Sequence, residues 1–311
     1  MAPPLDPGRI RPRPHLKFPF DASFPRIWHH HGPGSTHLWN GLNLLFPQGE
    51  RFFVRSVNHY LDRLEDAPAL RAQVKAFFAQ EGKHAREHQA YIELLESQGY
   101  KVSGFLAAYQ RIVWGFVDRY GPPPLRLAMT AALEHFTAVM SENTLTLGVF
   151  ADGHPAMRQL IEWHAAEEIE HKAVAFEVLR KVAPGYAVRT AGLLAGIVSL
   201  FGLWFVATVT LLRQEPGLGW GGLVRELWRA HRKDPVLVRV LWRGTKEYLR
   251  PSFHPLQNDN LHRRGPSWAP STRSGTPRRR PRSARPAGGR AGALGERAGG
   301  GVGSGALRCA V

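Results

Sequence analysis

Residues 163–172 read Trp163-His164-Ala165-Ala166-Glu167-Glu168-Ile169-Glu170-His171-Lys172, and their spacing decides the fold. On a helix, His164, Glu168 and His171 stand at i, i+4 and i+7 and share one stripe. Glu168 and His171 form a Glu-x-x-His unit, the pattern that places a carboxylate and an imidazole side by side in di-metal carboxylate bundles. A second such unit, Glu81-Gly82-Lys83-His84, lies 87 residues earlier. A dinuclear centre of this kind also needs unpaired glutamates on two further helices.

The chain supplies two candidates. Glu134 sits in the apolar run Ala131-Ala132-Leu133-Glu134-His135-Phe136, and Glu50 lies between Leu44-Leu45-Phe46 and Phe52-Phe53. A buried unpaired carboxylate is costly, so a metal or a partner is the economical explanation for each. The predicted metal-ligating set is therefore Glu50, Glu81, His84, Glu134, His164, Glu168 and His171. Glu87, His88 and His135 are candidates to orient those ligands by hydrogen bonds. Glu167 and Glu170 are expected to face solvent or basic partners, with Arg51, Arg55, Arg86 and Lys172 available to neutralise acids.

Outward from that set, apolar spacing follows i, i+3, i+4 far more often than strict alternation, which predicts an all-α fold. Ser35-Thr36 reads as the cap of a helical stretch to about Leu64, which Pro47 interrupts with a kink or break just before Gly49. Asp66-Ala67-Pro68 opens a helix to about Ser97, stopped by Gly99. A shorter helix over 104–119 precedes Gly121-Pro122-Pro123-Pro124. Helices over 125–149 and from Pro155 to about Val182 complete a four-helix set.

Thr190 to Leu212 is a run of 23 residues without a charge. It is long enough to cross a bilayer, and it also suits a core helix that is apolar all round because it is buried all round. Two amphipathic helices are expected over 218–249, with Trp220, Trp228 and Trp242 as anchors at a core or an interface. The predicted division is an extended segment over 1–35, a metal-binding helical bundle over 36–185, the apolar and amphipathic helices over 186–255, and a disordered basic tail over 256–311. His29-His30-His31 reads as a solvated loop.

The net charge of +16 is no nucleic-acid signature once located. Residues 250–311 hold 12 arginines, no lysine and 2 acids, so +10 belongs to them. Arg278-Arg279-Arg280 reads as part of a solvated tail, and no specific nucleic-acid partner is expected. The single cysteine, Cys309, excludes an intrachain disulfide and a thiolate metal site. The N-terminus shows no apolar signal region. No phosphate-cradling loop is present, so no nucleotide cofactor is expected. The expected location is the cytoplasm, with or without attachment to the inner membrane through 190–212.

The run from about Pro25 to Arg189 resembles the bacterial family of predicted metal-dependent hydrolases. The resemblance rests on Ser35-Thr36-His37, Leu44-Leu45-Phe46-Pro47-Gln48-Gly49-Glu50-Arg51-Phe52-Phe53, Phe78-Ala79-Gln80-Glu81-Gly82-Lys83-His84, Ala132-Leu133-Glu134-His135-Phe136-Thr137-Ala138, the opening stretch through Phe176, and Tyr248-Leu249-Arg250-Pro251-Ser252-Phe253-His254-Pro255. The ligand order is also similar to that of the ferritin-like di-iron arylamine N-oxygenases, which carry an extra histidine four residues before the last Glu-x-x-His, matched by His164. That similarity implies a ferritin-like four-helix bundle with two metal ions, iron first and manganese or zinc as alternatives.

Ligand chemistry then points to an oxygen-activating oxidoreductase acting on a small organic substrate. The family resemblance implies hydrolysis instead, and a non-catalytic membrane-associated metal-binding protein is a third reading. Beyond Asn260 the resemblance stops in Arg-, Gly- and Pro-rich sequence of the kind an out-of-frame reading of GC-rich coding sequence produces.

Overall fold

The computed structural model describes residues 10–233 and 235–260. The expectations for the tail beyond residue 260, including its disorder, its arginine run and its altered reading frame, lie outside the described residues; residues 256–260, assigned to the same tail, are instead ordered, with Leu256 and Asn260 buried and Asn258 and Asn260 accepting from Lys172. Within them the protein is all-α, with no strand.

Residues 10–32 run without helix and bury Ile10, Phe24 and Trp28 against the helical core. The first helical stretch is two helices, α1 (Pro33–Asn43) and α2 (Phe46–Asn58). The break falls at Leu44-Leu45, which puts Pro47 in the first turn of α2, where its missing N–H costs nothing. Ser35 and Thr36 do not cap. Gly32, at φ 89°, occupies the cap position, and both residues are buried inside the helix. Thr36 instead accepts the His29 amide at 3.1 Å.

Helix α3 (Pro68–Ser97) opens on proline as expected, although Asp66 makes no cap and pairs with Lys181. Its stop at Gly99 uses φ 93°, which favours glycine. Helix α4 (Ser103–Gln110) passes into a π-helical segment, Arg111–Asp118. Helix α5 (Pro123–Leu147) ends on left-handed Gly148.

Where one helix was expected from Pro155, the chain forms α6 (Pro155–His171) and α7 (Val174–Val182). The interruption at Lys172-Ala173 coincides with a tether: Lys172 Nζ donates to the Asn258 carbonyl and to Asn260 Oδ1, each at 2.6 Å. Helices α2, α3, α6 and α5 each pack on the next, and α5 closes back on α2.

Helix α8 (Tyr186–Leu212) lies along α5 and α1. The approach is close enough that a Cβ on Gly192 would stand 2.4 Å from the Ala128 carbonyl carbon, and one on Gly41 would stand 2.6 Å from the Thr208 hydroxyl. The helix is not buried all round. Gly192, Gly196, Trp204, Ala207 and Leu211 face inward, while Leu194, Val198, Phe205 and Val206 are exposed. Helix α9 (Trp220–Lys233) packs on α1 and α10 (Val236–Tyr248) on α5; Trp220, Trp228 and Trp242 are exposed, which removes the core from their two expected settings and leaves an interface.

Candidate metal centre

All seven residues singled out from the sequence converge in the space between α2, α3, α5 and α6. Glu50 comes from α2, Glu81 and His84 from α3, Glu134 from α5, and His164, Glu168 and His171 from α6. Each is buried. The i, i+4, i+7 stripe of α6 does what its spacing predicts, placing three donors along one line.

His171 Nε2 lies 3.0 Å from Glu81, 3.3 Å from Glu134 and 3.5 Å from Glu168. His164 Nε2 lies 2.9 Å from Glu168 and 3.7 Å from Glu50. His84 Nδ1 completes the ring, 3.9 Å from Glu81 and 3.8 Å from Glu168. Donor atoms of Glu81, Glu168 and His171 fall within 4.8 Å of one another, as do those of Glu50, Glu81 and His84, and those of His84, His164 and Glu168.

Four carboxylates in one buried space repel each other and have lost their water. Burial first, and then neighbouring Glu81, Glu168 and Glu134, push Glu50 well above the ordinary carboxylate range. Glu81 is raised well above it for the same reasons, and Glu134 to about 7. Burial opposes charge on Glu168 too, yet His171 and His164 hold it low. Burial drives the His84 imidazole well below its usual value.

Both carboxylate oxygens of Glu50, Glu81 and Glu134 lack a hydrogen-bond partner, as do His84 Nδ1 and His171 Nε2. The short His171–Glu81 approach is an approach in distance without hydrogen-bond direction. Six orphaned oxygens and two orphaned imidazole nitrogens in one buried space would be expensive in an apolar interior. Divalent cations fit this donor set, because hard carboxylate oxygens and imidazole nitrogens are ligands they accept.

The nitrogens that point away from this space are all engaged. His84 Nε2 meets Glu167 at 3.0 Å, His171 Nδ1 meets Gln80 Oε1 at 2.9 Å, and His164 Nδ1 meets His88 Nε2 at 2.6 Å. His88 leans in turn on Asn43 at 2.6 Å. Such contacts fix which ring nitrogen faces inward. Thr137 donates to Glu168.

Glu167 and Glu170 take the second of their two expected settings, a basic partner. Neither faces solvent; both are buried, and their basic partner is Arg13, at 3.0 Å from Glu167 and 2.7 Å from Glu170. Gln80 also donates to Glu170 at 2.9 Å. Arg13 carries no local signal because it stands more than 150 residues away in an unhelical segment.

Of the three residues expected to orient ligands, only His88 does so. Glu87 pairs with Lys83, and His135 turns to the Gly244 carbonyl at 3.1 Å, among Tyr248 and Phe253. His29, His30 and His31 do bring nitrogens within 4.8 Å of one another, but apart from this centre and without a carboxylate in the group.

An apolar cleft reaches the centre at Glu50. Its walls include Tyr109, Val113, Leu133, Leu200 and Leu203, and its empty space, counted out to the open mouth, is about 710 Å³.

Residues 12–259 match the model of a family described as predicted metal-dependent hydrolases. No curated protein and no solved structure matches the chain. The family match spans well over half of the sequence and takes in every residue of the carboxylate–imidazole cluster, so this protein belongs to the predicted metal-dependent hydrolase family.

Proposed function

We propose that Glu50, Glu81, His84, Glu134, His164, Glu168 and His171 hold two divalent metal ions within a ferritin-like four-helix bundle, and that the protein is a metal-dependent enzyme of hydrolytic type. The observation that carries this reading is the set of orphaned oxygens on Glu50, Glu81 and Glu134 beside inward-facing imidazole nitrogens. A bound divalent pair supplies Lewis-acid polarisation of a substrate oxygen and a water acidified toward neutral pH. The chain's own part is to present the donors rigidly. Glu167, Gln80 and His88 lock the three imidazoles, Arg13 neutralises the acids behind them, and apolar walls keep bulk water from the Glu50 side.

One observation favours a second reading, oxygen activation at a di-iron or di-manganese pair. Hydrolytic two-metal sites often draw on Asp and His from strand ends, whereas a glutamate from each of two helices and a Glu-x-x-His pair from each of two others are the donors of di-iron carboxylate bundles, to which His164 would add a third imidazole here. The family description supports hydrolysis. Metal analysis of the purified protein, followed by two assays, separates the readings. Near-stoichiometric zinc with turnover of chromogenic esters supports hydrolysis. Stoichiometric iron with an absorbance change on mixing the ferrous protein with O₂ would replace it, and no bound metal after anaerobic purification would leave the non-catalytic reading.

We also propose that the exposed stripe of α8 contacts a membrane surface. Its support is an outward face with no charged residue along 23 residues.

A further inference from the structure

The cleft that ends at Glu50 has almost nothing polar left to offer. Three hydroxyls line it, and each is engaged in the protein: Tyr109 donates to the Leu45 carbonyl at 3.1 Å, Thr137 to the Glu134 carbonyl at 3.0 Å and to Glu168, and Ser199 to the Gly196 carbonyl at 3.1 Å. The rest of the wall is leucine, phenylalanine, valine, isoleucine and methionine side chains. The unsatisfied polar atoms are the two oxygens of Glu50, at the inner end.

A sugar, nucleotide or peptide in this cleft would surrender its hydrogen bonds to water and find none in return. A hydrocarbon surrenders none and gains with every part of its apolar surface that leaves water.

The shape restricts the ligand further. The empty space of the cleft, about 710 Å³ out to the open mouth, is bounded by the bulky side chains of Phe46, Phe52, Phe53, Met129 and Leu133. Its most exposed lining residue is Ile112, 43% exposed, on the π-helical segment, and half-buried Leu200 and Leu203 of α8 line it too. The π-helical turn is what brings Ile112, Val113 and Val117 to the wall together, and such turns are frequent at functional sites.

We infer that this cleft binds a slender apolar molecule, an alkyl chain or a flat ring, with its one polar reacting group at the Glu50 end. That the reacting group meets a metal pair rests on the reading above; that the cleft takes a hydrocarbon does not.

The test uses the zinc-loaded full chain and N-phenyl-1-naphthylamine, a neutral probe whose fluorescence rises in apolar surroundings, with 1-decanol as competitor. The expected result is saturable binding at one site, displaced by 1-decanol and not by glycerol. Leu200→Trp, which fills the cleft, should weaken probe binding on the order of tenfold or more, while Leu203→Ala, which widens it, should strengthen binding. Phe205→Ser, on the outer face of α8, should leave it unchanged. Opposite effects of filling and widening exclude misfolding as their common cause.

Binding equal to wild type in Leu200→Trp at normal metal content would overturn the inference and leave the metal centre standing. Loss of binding in Phe205→Ser would overturn it by placing the probe on the outer face. Saturable, decanol-displaceable binding by a chain that holds no metal would support the cleft and sink the centre.

Discussion

Replacing Glu134 by glutamine should have opposite effects on the metal-free and metal-loaded protein. Burial and the neighbouring Glu168 raise this carboxyl from 4.5 to about 7, even after attraction to His171 is included. A carboxylate whose folded-state pKa is raised binds its proton more tightly folded than unfolded. Its ionisation therefore costs nothing below about pH 4.5, costs progressively more from 4.5 to about 7, and costs its full amount above that. At about 1.4 kcal/mol per pH unit, the full cost is about 3 kcal/mol. Glutamine keeps the shape and removes the charge.

Metal-free Glu134→Gln should thus be more stable than metal-free wild type by about 3 kcal/mol at pH 8, with the gap closing toward pH 5. In a folded unit of this size that is a rise in Tm on the order of 6–12 °C. With metal the order inverts once the free metal concentration is about 1,000-fold above Kd, because wild type then gains about 4.1 kcal/mol, more than the gap of about 3 kcal/mol, and the variant has lost a donor. Thermal unfolding of chelator-treated and metal-loaded samples at pH 5 and pH 8 gives all four comparisons. If metal-free Glu134→Gln is less stable than metal-free wild type at pH 8, Glu134 is a structural partner of His171, and the argument from orphaned oxygens fails.

Other perturbations test separate parts of the structure. Arg13→Ala leaves Glu167 and Glu170 without their guanidinium, and should weaken metal binding roughly 10–100-fold with the helices intact, as read by chelator competition and circular dichroism. Gly192→Ala forces a methyl against the Ala128 backbone and should cost about 1–3 kcal/mol in urea unfolding without changing metal content, because the contact lies on the α5–α8 seam. Val198→Asp with Phe205→Asp should reduce flotation with anionic phospholipid vesicles and leave metal content unchanged; flotation equal to wild type would remove the membrane contact from this face.

The convergence of the seven candidate donors was legible because helical periodicity is local information. Glu81 with His84, and His164 with Glu168 and His171, need only a 3.6-residue turn to share a face, and Glu50 and Glu134 declare themselves as lone acids in apolar runs. What the helical wheel cannot show is how much of the helix is covered. Glu167 and Glu170 lie off the ligand stripe of α6, which in an isolated amphipathic helix would be the wet side. Here α3 and the N-terminal segment cover that side, so both glutamates are buried and serve His84 and, through Gln80, His171. The residues doing the covering, Arg13 among them, are distant in sequence and leave no periodic trace. The π-helical turns of Arg111–Asp118 escaped for a different reason. An i→i+5 backbone register changes which side chains meet without changing the amphipathic look of the segment.

Helix α8 shows how one composition can serve two surfaces. A lipid-surrounded helix needs no special inner face, yet this one presents Gly192, Gly196 and Ala207 to α5 and α1, where close backbone approach requires small residues. A helix on the water-facing surface of a bundle normally carries charge outside, yet here Leu194, Val198, Phe205 and Val206 occupy that side. Packing within the chain explains the inner stripe and leaves the outer one without a role. Leu200 and Leu203 lie on the inner stripe, Leu200 one turn after Gly196 and Leu203 one turn before Ala207, and both line the cleft to Glu50. If the outer stripe lies against lipid, the cleft lies beside the phase in which a slender apolar substrate is most concentrated, and the same helix that carries the protein to the membrane forms one of its walls. The two proposals therefore make a joint demand: when Val198→Asp and Phe205→Asp abolish vesicle flotation, turnover of an alkyl substrate supplied in vesicles should fall, while turnover of the same substrate dissolved in detergent should not.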